Sequence, residues 1–119
     1  GRRQDIDMAE LNVHITPQDQ ATILVDLQGE VGVGHVDELE RHFNKVCAQR
    51  PQLVVINCAG LNFIASIGMG TLVALNTSLR RLGGAVRLAC VNDNVRNALK
   101  RARLDPVLEI HPDLESAQG

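Results

Sequence analysis

Aromatic residues are scarce in this chain of 119 residues, which contains two Phe, no Tyr and no Trp. Proteins that bind single-stranded nucleic acid stack the bases on aromatic side chains, and an aromatic sugar site would need the same rings. The composition therefore argues against both kinds of site. Apolar residues still make up 45% of the chain, so the core must be built from aliphatic side chains.

Long apolar runs and a strong net charge are also missing. No apolar run approaches the ~20 residues that a helix needs to span a bilayer, and the formal net charge is −2. A charge this small gives no strong overall attraction to nucleic acid or to a membrane surface. The first residues carry no signal-peptide pattern, so we expect a cytoplasmic protein. At this length the chain is most simply one domain.

The cysteines and histidines show no pattern for a disulfide framework or a metal site. Cys47, Cys58 and Cys90 form no C-x-x-C pair, and an odd number of cysteines cannot close a complete set of disulfides. Each lies in an apolar setting, where a free cysteine behaves as a small hydrophobic residue. The four histidines lack the spacing of metal ligands. We therefore expect no metal and no cofactor.

Apolar patterns in the sequence predict five short strands. The first two are separated by the turn residues of TPQDQ, which indicates a hairpin. The third is a continuous apolar run, typical of a strand in the interior of a sheet. The predicted strands are Leu11–Ile15, Ala21–Leu27, Leu53–Cys58, Ala85–Val91 and Val107–Ile110.

Amphipathic helices are predicted between the later strands. Apolar residues at helical spacing mark Val36–Val46, Thr71–Leu82 and a helix capped by Asn92, and PDLESA adds a final helical turn. The element order is β-β-α-β-α-β-α-β. This order predicts an α/β fold with a mixed sheet of four to five strands and helices mainly on one face. We expect the domain to span residues 11–117, after a flexible arm over residues 1–10.

Basic residues are concentrated in the second half of the chain. Residues 80–103 hold seven basic side chains and one acidic side chain, Asp93. We interpret this run as a solvated helix face, with a docking patch for an acidic partner as the alternative. The basic residues are Arg80, Arg81, Arg87, Arg96, Lys100, Arg101 and Arg103.

Three motifs that would indicate an enzyme or a phosphorelay domain are incomplete. The stretch QGEVGVGH, expected to be a loop, has its glycines in the wrong order for a dinucleotide-binding turn. A nucleophile elbow requires glycine two residues before the serine, but Ile64 occupies that position before Ser66. His111 is a possible triad histidine, but the sequence indicates no acidic residue as its partner. The third strand ends in Asn57-Cys58-Ala59, so it lacks the aspartate that a receiver domain needs there. We therefore expect no catalytic residues.

Ser66 remains notable because of where it lies. The stretch FIASIGMG joins a predicted strand to a predicted helix, so Ser66 is expected near a helix N-terminus with small neighbours. A phosphate there would meet free N–H groups and the positive end of the helix dipole. The same serine could equally act as an ordinary N-cap, and the residues alone leave both interpretations open.

Three segments, in this order, resemble the STAS domain family in its anti-sigma factor antagonist form. The first is LVDLQGEV at Leu24–Val31. The second is LVVINCAGLNFIASIGMGTLV at Leu53–Val73, which is similar to a strand, then D-S-S-G or D-S-T-G, then a helix. The third is the helix–Gly-Gly–strand–helix–strand pattern of Arg80–Ile110. The resemblance covers nearly the whole chain and agrees with the predicted element order.

The resemblance implies a partner-switching regulator rather than an enzyme. Such proteins bind a kinase-type anti-sigma factor and are released when that kinase phosphorylates a serine, whose position Ser66 occupies here. The implied partner is a protein, with no direct binding to nucleic acid and no membrane span. The implied partner face surrounds Ser66, with Ile67 and Met69 expected to be exposed. Its residues are Gly32, Ala65, Ile67, Gly68 and Met69.

The sequence departs from the family pattern around Ser66. Ala65 replaces the aspartate of D-S-S-G, Ile67 replaces its second hydroxyl residue, and Gly32 replaces the acidic residue of G-E-L-D. Two alternatives therefore remain beside the phosphorylated antagonist. One is a STAS scaffold that binds its partner without a phosphoserine switch. The other is a STAS-like module that binds a small molecule, such as a nucleotide or a lipid, near the helix start.

Overall fold

A computed structural model describes residues 10–119 and contains a five-stranded mixed sheet. The strands lie in the order β1-β2-β3-β4-β5; β1 is antiparallel to β2, and the other neighbours are parallel. This confirms the predicted α/β fold. The arm expected over residues 1–10 lies, apart from Glu10, outside the described residues. The strands are β1 Leu11–Pro17, β2 Thr22–Val31, β3 Leu53–Ile64, β4 Ala85–Ala89 and β5 Glu109–His111.

Four α-helices accompany the sheet in the described part of the chain. A single 3-10 turn, Val33–His35, leads into the first of them. The helices are α1 Val36–Ala48, α2 Ser66–Arg81, α3 Asp93–Arg101 and α4 Leu114–Gln118. Within residues 10–119, none is long and apolar enough to cross a membrane.

Alternation along β3 shows which helices cover which face. Val54 and Ile56 join a large aliphatic core with residues of α1, α2 and α3, whereas Val55 belongs to a small cluster with Ala89 and Ala117 of α4. Successive strand residues point to opposite faces, so three helices cover one face and α4 covers part of the other. The prediction of helices mainly on one face is confirmed.

Strands β2 and β3 are longer than the sequence pattern predicts. β2 continues to Val31, so the expected loop QGEVGVGH shortens to Gly32 and the 3-10 turn. The pairing of β2 with β3 shifts register between Asp26 and Gln28 and again after Gly29. Gly29 takes a positive φ of 98°, and a Cβ there would lie 2.0 Å from the Glu10 carbonyl oxygen. Glycine is required there. β3 runs to Ile64, so the first part of FIASIGMG is strand.

The later element boundaries are partly confirmed. Asn92 caps α3 as predicted, since its Oδ1 accepts a hydrogen bond from the Val95 N–H at 2.8 Å. α2 begins at Ser66 instead of Thr71, and its buried stripe ends at Leu79. Leu82, predicted to continue that stripe, is exposed because the helix ends before it.

The cysteines are all free, and they differ in burial. Cys58 is buried in β3, and burial raises the pKa of its thiol to about 12. Such a thiol is not nucleophilic near neutral pH. Cys47 and Cys90 are only partly buried, so the expectation of an apolar setting holds most clearly for Cys58.

Candidate functional site

Ser66 is the first residue of α2, and its side chain is exposed. The N-cap position belongs to Ala65, whose backbone is extended (φ −75°, ψ 160°), and no side chain caps the helix. The interpretation of Ser66 as an N-cap is therefore wrong. The Ser66 hydroxyl lies at the surface, at the end of α2 where backbone N–H groups lack helical partners.

The turn before Ser66 is held to the neighbouring strand. The Ala65 N–H donates a hydrogen bond of 2.8 Å to the Val31 carbonyl oxygen at the end of β2. Gly68, one turn further, is buried against the same residue. A Cβ at position 68 would lie 2.5 Å from Val31 Cγ1, which is closer than real side chains approach. Gly68 is thus a packing residue that allows α2 to start against β2.

Gly32 lies half-buried at the end of β2, where the family pattern has an acidic residue. Its N–H donates a hydrogen bond of 3.0 Å to Nδ1 of His35. The imidazole thus satisfies a backbone group at the start of the 3-10 turn. Sequence reasoning missed this contact, although the three-residue spacing between Gly32 and His35 is that of a capping pair.

The expectation that Ile67 and Met69 are both exposed is half right. Ile67 is 52% exposed, but Met69 is only 5% exposed. The reason is the early start of α2, which places Met69 three residues before Leu72 on the same buried stripe. Val33, which sequence reasoning missed, is 74% exposed beside Gly32. Val33 and Ile67 are thus exposed apolar residues that follow Gly32 and Ser66 directly in the sequence.

A cavity of about 380 Å³ opens beside Ser66, between the start of α2 and helix α3. Two side-chain amides tie α3 to β3 near it: Asn92 Nδ2 donates to the Leu61 carbonyl oxygen at 2.9 Å, and Asn94 Nδ2 to that of Asn62 at 3.3 Å. Of the described residues that line the cavity, Arg101 alone is charged. The lining residues are Phe63, Ile64, Ala65, Ser66, Met69, Asn94, Val95, Ala98, Arg101 and Ala102.

A second, more open recess lies on the other side of α2, against α1. It measures about 460 Å³, and Ile67 and Val36 form part of its wall. Its charged lining residues are acidic, Asp37 and Glu40. The two recesses thus differ in charge, with a basic residue on the α3 side of the Ser66 turn and acidic residues on the α1 side.

The described residues do not assemble a catalytic triad around Ser66. His111, the candidate triad histidine, contacts Glu109 at 3.3 Å and lies beside Arg87. These three residues lie on the face of the sheet that α4 covers, and Arg87 donates a hydrogen bond to the Ala117 carbonyl oxygen of α4. Within residues 10–119, no three His, Cys, Asp or Glu side chains group as metal ligands.

The model of the STAS domain family matches residues 12–117. This range includes β1 from its second residue onward, the other four strands and the Ser66 turn. The chain therefore belongs to the STAS domain family, and the resemblance predicted from the three sequence segments is confirmed.

Solved structures with the same fold include regulators and a transporter-related protein. An anti-sigma factor antagonist from Mycobacterium paratuberculosis matches with a TM-score of 0.84 at 22% identity, over 92% of both chains. The Bacillus cell fate determinant SpoIIAA in its phosphorylated form matches with a TM-score of 0.69 at 18% identity, over 90% of this chain and 97% of that one. A sulfate transporter family protein from Wolinella succinogenes gives 0.71 at 20% identity, over 87% and 85%. At these identities the likeness establishes the shared fold.

Proposed function

We propose that this protein is a partner-switching regulator that binds a kinase-type anti-sigma factor and is released when Ser66 is phosphorylated. The observation that carries the proposal is the exposed hydroxyl of Ser66 at the first residue of α2, next to the exposed side chain of Ile67. A kinase can reach such a hydroxyl without unfolding the domain. The structural likeness to anti-sigma factor antagonists supports the choice of partner.

The partner face centres on Ser66 and combines apolar side chains with approachable backbone. Ile67 and Val33 supply apolar contact area, which excludes water from an interface, and Gly32 and Ala65 leave the backbone near Ser66 open to a partner. Gly68 and Met69 have a different part in the proposal: they lie beneath this surface and hold α2 in place.

Phosphorylation would change this surface in a simple physical way. A phosphoserine carries about −1.5 to −2 charges near neutral pH. Placed beside Ile67 and Val33, that charge must be desolvated when a partner covers the surface, so the complex is weakened. The replacement of two family carboxylates by Ala65 and Gly32 removes repulsion toward the phosphate.

In this proposal the chain is a substrate and a binding module, and it performs no catalysis itself. The described lining of the cavity beside Ser66 contains no His, Asp or Glu that would act as a general base. Because the proposed partner controls transcription, the proposal includes a cytoplasmic location for this protein.

The test is purification of partners from the native cells with Ser66, Ser66→Asp and Ser66→Ala forms of the tagged protein. We expect Ser66 and Ser66→Ala to capture an ATP-binding anti-sigma factor, and Ser66→Asp to bind it at least tenfold more weakly, or about 1.4 kcal/mol. Ser78→Asp, at an exposed serine on the same helix, is the matched control and should bind normally.

Other outcomes of this experiment discriminate between the proposal and its alternatives. Equal binding by Ser66→Asp, together with unmodified Ser66 in the native protein, would favour a STAS scaffold without a phosphoserine switch. The absence of any such kinase among the partners would contradict the proposed function.

The cavity between α2 and α3 supports a second candidate, a module that binds a small molecule. Its volume of about 380 Å³ lies within the size range of ligand pockets, and Phe63 and Val95 give it an apolar part. Equilibrium dialysis with radiolabelled ATP and GTP would test the nucleotide form of this alternative. Binding that Ala98→Trp abolishes would support it.

A further inference from the structure

The cavity beside Ser66 has a single charged side chain among its described lining residues. Arg101 on α3 and Ser66 on α2 line the same space of about 380 Å³. Among residues 10–119, Arg101 has no ion-pair partner. Its guanidinium is therefore available to a group that enters the cavity.

We propose that Arg101 binds the phosphoryl group of phosphorylated Ser66 within this chain, so that the cavity between α2 and α3 holds the phosphate. This inference rests on the proposed function, because it takes Ser66 as the phosphoacceptor. The inference goes beyond the proposed function because it names the residue that binds the phosphate and the cavity that holds it. The ligand is a phosphate monoester dianion, and its source is Ser66 itself.

The chemistry of the cavity lining fits an anion better than a cation. No carboxylate is among its described lining residues, and Ala65 stands where the family pattern has an aspartate. No acidic side chain in the described lining therefore competes with the phosphate for Arg101. Guanidinium groups bind phosphate with paired, charge-assisted hydrogen bonds. Asn94, which lines the same cavity, offers a neutral polar group near the opposite end of α3.

The size of the cavity and the fixed position of its walls are also suitable for a phosphoryl group. The cavity is many times larger than the ~30 Å³ that one water molecule occupies in the liquid, so a phosphoryl group enters without displacing a side chain. The buried side chains of Met69 and Val95 form part of its floor. The hydrogen bonds of Asn92 and Asn94 to β3 hold α3 in place relative to the strand that leads into Ser66.

The acidic recess on the other side of α2 makes the α3 side the favoured place for the phosphate. Asp37 and Glu40 line that recess, and like charges repel the phosphoryl group. A phosphate on Ser66 therefore turns toward Arg101 and away from α1. The phosphorylated form then presents less of its new charge to solvent than an unpaired phosphoserine would.

The experiment uses protein with phosphoserine installed at position 66 during translation, so it needs no kinase. The second pKa of the phosphate, which is about 6 when unperturbed, is measured by ³¹P NMR titration. Because an adjacent cation favours the dianion, we expect Arg101→Gln to raise this pKa by roughly half a pH unit. Arg101→Lys, which keeps the charge, should restore most of the lowered value.

The matched control is Lys100→Gln, which removes the same charge from the neighbouring position of α3 but not from the cavity lining. His35 belongs to the 3-10 turn that precedes α1, and every variant retains it, so any effect of its charge cancels in the comparison. Equal shifts for Arg101→Gln and Lys100→Gln, or no shift for either, would overturn the proposal. Circular dichroism verifies that each variant is folded.

The titration tests the role of Arg101 independently of the proposed function. If the native kinase never modifies Ser66, the proposed switch fails, whereas the titration of installed phosphoserine still reports whether Arg101 binds a phosphate. If the switch is confirmed but Arg101→Gln has no effect, only the assignment of Arg101 is wrong.

Discussion

The two faces of the sheet are held to their helices by different kinds of contact. On the face that α1, α2 and α3 cover, a continuous aliphatic cluster includes Leu39, Leu72 and Leu99, each 1% exposed or less. On the opposite face, α4 covers only a small cluster around Val55 and Ala117. The first face therefore supplies most of the apolar burial that stabilises the fold.

Charged and polar contacts take a larger share on the second face. Arg87 pairs with Glu109 and donates a hydrogen bond of 2.9 Å to the Ala117 carbonyl oxygen, and His111 contacts Glu109 at 3.3 Å. Partly exposed ion pairs contribute little to stability. The first face therefore determines most of the stability of the domain, whereas the second face positions the short helix α4.

Two leucines on helices that cover opposite faces give the largest expected difference. Leu72 on α2 is 1% exposed, and Leu114 on α4 is only partly buried at the small cluster. We expect Leu72→Ala to lower the free energy of unfolding by about 3–5 kcal/mol, and Leu114→Ala by about 1 kcal/mol, because less apolar surface is lost. Urea denaturation measures both. Equal losses would contradict the distinction between the faces.

Two glycines on α2 test how tightly the first face is packed. Gly68 faces Val31 at a distance that leaves no room for a Cβ, whereas Gly70 has nothing within 4 Å. We expect Gly68→Ala to destabilise the fold by about 1–3 kcal/mol through overpacking. Gly70→Ala should stabilise it by roughly 0.5–1 kcal/mol, because alanine is the better helix former. Thermal unfolding of both variants measures the contrast, and a neutral Gly68→Ala would show that α2 shifts freely.

The smallest effect concerns the ion pairs of the second face and their dependence on pH. Burial by itself would raise the pKa of Glu109, but the hydrogen bond from His111 and the charge of Arg87 outweigh it, so the pKa lies below its ordinary value of 4.5. A carboxyl group with a lowered pKa in the folded state stabilises that state above the unfolded pKa. This contribution is lost as the pH falls through the folded pKa.

We therefore expect Glu109→Gln to destabilise the domain slightly at pH 7, by less than about 1 kcal/mol because Glu109 is 53% exposed. The difference from the unsubstituted protein should shrink as the pH falls below 4.5. Urea titrations at a series of pH values measure it. Glu40→Gln, at an exposed position of α1, is the control, and the same pH dependence there would attribute the effect to net charge.

The sequence predicts the fold well where apolar periodicity is regular. The stripe of α1, with Leu39, Phe43 and Val46 buried, and the cap at Asn92 follow directly from spacing and residue type. The C-terminal half of β3 is not predicted, because Gly60 and the exposed Asn62 interrupt the apolar run. Pairing with β2 nevertheless extends the strand, since tertiary hydrogen bonds outweigh local propensity.

The candidate site is predictable only in part for a related reason. The sequence pattern predicts the position of Ser66 between a strand and a helix, and it predicts the exposure of Ile67. The burial of Met69 depends on α2 starting at Ser66, which apolar spacing placed five residues too late. Arg101 lies 35 residues further along the chain, and only the packing of α3 against β3 brings it to the same cavity.

The strand order of the sheet is also the order of the chain, β1 to β5 without interruption. Each strand therefore pairs with the strand synthesised immediately before it, and no early strand has to wait for a distant late one. Pairing strands that are neighbours along the chain requires less loop-closure entropy than pairing strands that are further apart in the sequence. A sheet of this kind can grow from one edge, in chain order, while the chain leaves the ribosome.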